Sequence, residues 1–207
     1  HPGAKIQYAA GDGAGRFGSV FTVSLGDFGH RVPVVVAGHF NDDDFEDFAA
    51  LDSVKNDEDA QENPLGTKHK LLIYTNGYDP ETPSGDPFSN GAVAIDLEEE
   101  EDCSAEGARF VAAGEDPDDG DTIVDALYVV CGLGGAVLEY VNDGEGNFSR
   151  REKIIPGNEP RQIVIADFNA DGILDGALTL AKTGTVRVFL GSSGMTSFLL
   201  STPTNFS

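Results

Sequence analysis

Short apolar runs alternate with acidic or glycine-rich turns along the whole chain. One unit recurs four times: alternating apolar residues that end on an aromatic, then a Gly-rich turn, then Phe. It runs from Lys5-Ile6-Gln7-Tyr8 to Phe17 and from Leu71-Leu72-Ile73-Tyr74 to Phe88. It recurs from Val137-Leu138-Glu139-Tyr140 to Phe148 and from Val186-Arg187-Val188-Phe189 to Phe198. Period-two alternation closed by Gly, Asn and Asp is a hairpin signal. A second unit, an apolar strand, an acidic loop and another apolar strand, falls between these at 32–51, 109–130 and 162–180. Strict alternation of the two units predicts strands in groups of two, four, four and four, about fourteen in all. No helical periodicity longer than a turn or two competes. The expected fold is all-β, a β-propeller of four-stranded antiparallel blades. A β-sandwich with acidic turns is the plainer alternative, but it would not repeat both units in register.

Composition narrows the function classes. In 207 residues, 36 acidic against 13 basic side chains give a net charge of −23. Such a surface repels phosphate backbones and anionic lipid headgroups and attracts cations, so nucleic acid is not an expected partner. No apolar stretch approaches the roughly 20 residues of a membrane helix, so membrane insertion is not expected either. The 26 Gly and 10 Pro suit a turn-rich β protein. Surplus carboxylates are also what a protein of saline surroundings would carry for solubility. The first residue is His1, which suggests a processed form or a fragment.

The acidic loops carry the candidate chemistry. In the loop 167–175, oxygen-bearing side chains fall at Asp167, Asn169, Asp171 and Asp175, with Gly172 at the turn. Alternate residues of a tight loop point to one place, and the Ile173 carbonyl can join them. That donor set suits Ca²⁺, which takes six to eight oxygens, better than Mg²⁺. An EF-hand is not implied, because the flanks are strands and the twelfth position is Leu178. The loop 116–125 fits the same plan with one extra residue, giving Asp116, Asp118, Asp121, the Ile123 carbonyl and Asp125. The loop 39–47 offers Asn41, Asp43, the Phe45 carbonyl and Asp47, with His39 in the place of Asp167. Imidazole is a poor Ca²⁺ partner. Two to three Ca²⁺ sites are therefore expected, against the simpler possibility of solvated acidic turns.

Strand, D-x-N-x-D-G-x-x-D, strand, with a Gly-rich turn and Phe upstream, resembles the FG-GAP or VCBS repeat. That family includes the integrin α-subunit propeller and fungal propeller lectins. The resemblance covers nearly the whole chain, is most specific at Asp167–Asp175, and departs at His39 and at the Asp116 loop. It implies that each loop joins the first two strands of a blade and carries Ca²⁺ that stiffens it. The chain then reads as one region over 1–207, with a half-blade near 1–28 and blades near 29–97, 105–156 and 157–207. About three and a half blades leave open edges, which recruit other strands.

Cys103 and Cys131 form a candidate disulfide closing a loop of about 28 residues, or else stay as two thiols. Asn147-Phe148-Ser149 and Asn205-Phe206-Ser207 are glycosylation sequons. Charge, paired cysteines and sequons together point to an extracellular, secreted or cell-surface protein. The run Glu98–Asp102 reads as a solvated connection. No Ser/His/Asp or Cys/His arrangement is visible, so no catalytic residue is expected. The expected role is a calcium-stabilised structural or interaction module for adhesion or assembly with other protein chains. A glycan-binding propeller is the alternative, although no Trp is present to stack on a sugar. A secreted polysaccharide lyase or hydrolase is a lesser one.

Overall fold

The computed structural model describes residues 5–11, 14–24, 34–43, 45–55, 67–78, 81, 86–97, 103, 108–114, 123–132, 135–195 and 197–206. Among them, fourteen strands form four antiparallel sheets. A two-stranded ribbon pairs β1 (Lys5–Gly11) with β2 (Phe17–Ser24). The first four-stranded sheet holds β3 (Val35–Gly38), β4 (Asp47–Lys55), β5 (Thr67–Tyr74) and β6 (Val93–Asp96) in that order. The second holds β7 (Ala108–Gly114), β8 (Ala126–Cys131), β9 (Val137–Asn142) and β10 (Phe148–Ile154). The third holds β11 (Pro160–Ala166), β12 (Asp175–Leu180), β13 (Thr185–Phe189) and β14 (Thr204–Phe206). The all-β class and the grouping two, four, four, four are as the repeat predicts. Each sheet is open, and the described strands do not close a ring.

Sheets stack face to face, and the strand alternation decides which side chain enters which core. All six residues of β8 are buried, because both faces of this strand are covered. Leu127, Val129 and Cys131 enter the core shared with Ala49, Leu51, Leu71 and Ile73 of the first sheet. Ala126, Tyr128 and Val130 enter the core shared with Ile163, Leu178, Leu180 and Phe189 of the third. A smaller core under the ribbon gathers Val23, Phe48, Leu72, Tyr74 and Phe88, with Ile6 and Tyr8 against it. The stacking is consistent from sheet to sheet: β7 lies against β3 and β4, and β11 lies against β7 and β8.

Of the recurring Phe residues, Phe88 and Phe198 are buried in cores, Phe148 packs partly buried against one, and Phe17 alone is exposed. Phe88 packs edge-on against Phe48, and Phe148 packs edge-on against Phe40. Phe17 is exposed on the ribbon. Phe198 does not open a strand; it begins a 3₁₀ turn, Phe198–Leu200, that drops its ring over Gly176, where a Cβ would collide with it. Strand β14 starts only at Thr204. Cys103 and Cys131 are disulfide-bonded, and both are buried.

The third sheet leaves one face bare. In register, Val164, Ala177, Val188 and Thr204 form one row, and Val186 pairs with Phe206 in the next. Val164, Val186 and Phe206 are exposed. The inner-strand positions of the corresponding rows, Ala49, Leu51, Leu71 and Ile73 in the first sheet and Val130 and Val137 in the second, are buried in the core shared with the sheet that follows, while Val93 on the edge of the first sheet is exposed. Among the described residues, no helix is long and apolar enough to cross a membrane.

Candidate functional site: the aspartate loops

The loop between β11 and β12 is built by its own side chains. Asp167 Oδ1 accepts the amides of Asn169 and Asp171, both at 3.2 Å, and Oδ2 accepts that of Gly172 at 2.9 Å. Asn169 Oδ1 also accepts from Asp171 N–H at 2.9 Å, and Asp171 Oδ1 accepts from Ile173 N–H at 3.0 Å. Asn169 Nδ2 donates to Asp171 Oδ2 at 3.0 Å. These Asx turns need two residues in the left-handed region, Ala170 at φ 61° and Gly172 at φ 83°. Donated amides, that of Gly172 foremost, hold the Asp167 carboxyl below its ordinary range. Asp167, Asn169 and Asp171 are thus brought together within one turn.

Asp175 has a different task. It is fully buried at the start of β12, where Oδ2 accepts from Phe168 N–H at 2.9 Å and Oδ1 from Gly191 N–H at 2.7 Å. One carboxylate so fastens the loop to the turn leaving β13. Asp47 repeats this at the start of β4, accepting from Phe40 N–H at 2.8 Å and Asn76 N–H at 2.6 Å. Burial pushes the Asp47 carboxyl up, against the opposing pull of the two amides. In the same loop Asp43 Oδ1 accepts from Phe45 N–H at 2.8 Å, matching Asp171 and Ile173. Asn41 Oδ1 is buried with no partner. His39 Nδ1 is likewise buried and unpartnered, while Nε2 lies 3.6 Å from Glu46.

The middle loop departs from the spacing argument. Asp116, Asp118 and Asp121 lie outside the described residues. Strand register pairs Gly38 with Asp47, Ala166 with Asp175, and Gly114 with Ala126. Ala126, not Asp125, therefore stands where the two clamp aspartates stand, because the connection 115–125 is longer than 39–46 or 167–174. The amide of Asn142, in the place of Asn76 and Gly191, donates instead to the Asp125 backbone carbonyl at 2.8 Å. The Asn142 side chain then bridges outward, donating to the carbonyls of Phe40 at 2.8 Å and Val124 at 2.9 Å. Among the described residues, no three His, Cys, Asp or Glu side chains gather as a metal-binding group.

The two sequon asparagines, Asn147 and Asn205, are exposed. Asn147 Nδ2 donates to Asp143 Oδ2 at 2.9 Å, and Asn205 Oδ1 accepts from Arg187 Nε at 2.9 Å on the edge strand β14.

A polar cluster that the spacing of the acidic loops does not reveal lies between the second and third sheets. Glu139, fully buried on β9, accepts from Arg151 Nη2 at 2.7 Å, Arg151 Nε at 3.2 Å and Tyr128 Oη at 3.0 Å. The guanidinium is held charged by this carboxylate, and burial beside it pushes the Tyr128 phenol up. The sequence signal was a Glu inside the apolar run Val137–Val141. No protein family, curated protein or solved structure matches this chain.

Proposed function

We propose that the chain is a calcium-stabilised structural and interaction module of the FG-GAP/VCBS propeller kind, acting outside the cell. The bare face of the third sheet carries the reading. The stacking that buries the inner strands of the corresponding rows in the first and second sheets leaves Val164, Val186 and Phe206 exposed on the third. Uncovered apolar rows of this kind mark assembly surfaces. The occupant we assign is a further sheet of the same build, supplied by a second copy of the chain.

Calcium belongs to the reading through the loops. Asp167, Asn169 and Asp171 share one turn, and the unpartnered Asn41 Oδ1 is a buried oxygen in want of a donor or a cation. Asp175 and Asp47 would serve as inner supports, since each already binds two amides, and a Ca²⁺ shell would draw its remaining oxygens from carbonyls and water. The buried disulfide and the exposed sequon asparagines support an oxidising, extracellular setting.

Thermal melting with Ca²⁺ and with chelator tests the metal. Ca²⁺ at a hundredfold excess over Kd stabilises by about 2.7 kcal/mol. Chelation should lower Tm, and Asp171→Ala should abolish most of the response; an unchanged curve overturns the calcium assignment. Sedimentation tests assembly. The chain should self-associate, and Val164→Lys with Val188→Lys should release monomers; a monomer at every concentration overturns the interaction surface.

A further inference from the structure

The bare face of the third sheet is free of charge in a strongly acidic chain. Its rows from Val164 to Thr204 and from Gln162 to Phe206 carry no charged side chain. Residues 157–207, which build the sheet, hold three of the 13 basic and four of the 36 acidic residues, a net charge of −1. Residues 1–156 hold the other −22. Copies of so acidic a chain repel one another, and a contact is least opposed where local charge is near zero. The third sheet presents its apolar rows in such a place.

A second copy offers two ways to continue the stack. The ribbon packs on the first sheet, at the opposite end from the third, and its outward side laid on the bare face would give a head-to-tail series. The third sheet of the second copy would instead close a two-fold pair. On the ribbon Ile6, Tyr8 and Val23 face the first sheet, so Lys5, Gln7 and Thr22 point outward, and all three are exposed. Gln7 Nε2 donates to Thr22 Oγ1 at 3.4 Å there. Laying Val164, Val186 and Phe206 on that side buries an ammonium and an amide against apolar side chains, which costs free energy with no compensating partner. Two strands also cover only part of a four-stranded face. A second third sheet has neither defect: it matches in width, and apolar rows meet apolar rows.

We infer that the chain pairs as a closed two-fold dimer in which the third sheets of two copies face each other, with the acidic sheets and both ribbons directed outward. Val164, Val186 and Phe206 of each copy lie in the contact. This inference rests on the assembly reading above and assigns its geometry: a dimer that ends growth rather than a chain of stacked copies. Strands about 4.8 Å apart and about 20 Å long outline roughly 400 Å² a side for such a face. Contacts of that size belong to the transient class, so the dimer should dissociate on dilution through the micromolar range.

Sedimentation velocity of the whole chain over a concentration series tests the geometry. A monomer–dimer equilibrium with no larger species is expected. Species that grow past the dimer overturn the two-fold geometry and leave the interaction surface standing; a monomer at every concentration overturns both. Ala177 and Val188 are the middle positions of their row, so charges placed at 188 in two copies come within reach of each other. Val188→Lys and Val188→Glu should each weaken the dimer tenfold or more with Tm unchanged, and mixing the two should restore it. On the ribbon, Gln7→Glu with Thr22→Glu should leave the dimer as it is. Failure of the mixed, folded variants to pair, or loss of the dimer through the ribbon changes, overturns the inference.

Discussion

Asp47 and Asp175 are one device used twice: each buried carboxylate opens the second strand of its sheet and joins a loop amide to the turn leaving the third strand. Each oxygen of both carboxylates accepts one amide. The second sheet lacks this clamp, with Ala126 in the register position and a backbone carbonyl doing the work.

Removing one clamp should cost more than removing a surface acid. Asp175→Ala strands the amides of Phe168 and Gly191, and hydrogen bonds to a charged partner are worth roughly 1.5–3 kcal/mol each. Urea denaturation should show a loss of about 3 kcal/mol or more. A loss below about 0.5 kcal/mol would show that water or a shifted loop replaces the carboxylate freely.

The two carboxyl environments should titrate on opposite sides of the unfolded value of about 3.9. Asp167 is depressed by donated amides, so its contribution to stability is present above that value and is lost as pH falls through its lower folded value. Asp47 is raised by burial, so stability linked to it increases as pH falls from its folded value toward the unfolded one. Carbon-detected NMR titration of the side-chain carboxyls should place Asp167 below Asp47; the reverse order contradicts the environments described.

The Cys103–Cys131 bond closes 28 residues around the second sheet. Cys103→Ser with Cys131→Ser should lower stability by roughly 3 kcal/mol in the chain-entropy account. Because both sulfurs are buried, reductant should act on the native protein only after opening. Rapid reduction at full native signal would contradict that burial.

Gly176 is required by a neighbour and not by its backbone angle. Its missing Cβ leaves room for the Phe198 ring. Gly176→Ala should cost about 1–3 kcal/mol through overpacking. Phe198→Leu in the same chain should recover part of the loss, a coupling that a double-mutant cycle measures. Strict additivity would show that the two residues do not touch.

The strands were legible because alternation is a local property. Val186-Arg187-Val188-Phe189 announces a half-buried strand whatever lies above it, and the Gly-rich turns mark where each strand stops. The acidic loops were legible for the same reason, since Asx turns such as those of Asp167 and Asp171 act within a few residues. Spacing alone does not give the register at Asp125, because the longer connection places Ala126 in the position of Asp47 and Asp175, which only strand pairing fixes.

What the chain order alone determined was the class of element, the four-stranded grouping and the turn chemistry, all governed by contacts between near neighbours in sequence. Tertiary structure decided which of two identical-looking carboxylates clamps amides, which Phe caps a glycine, and that Glu139 meets Arg151 between sheets. Those outcomes depend on burial and on partners from other strands. Burial depends on which face a neighbouring sheet covers, and that is a property of stacking that no single strand carries.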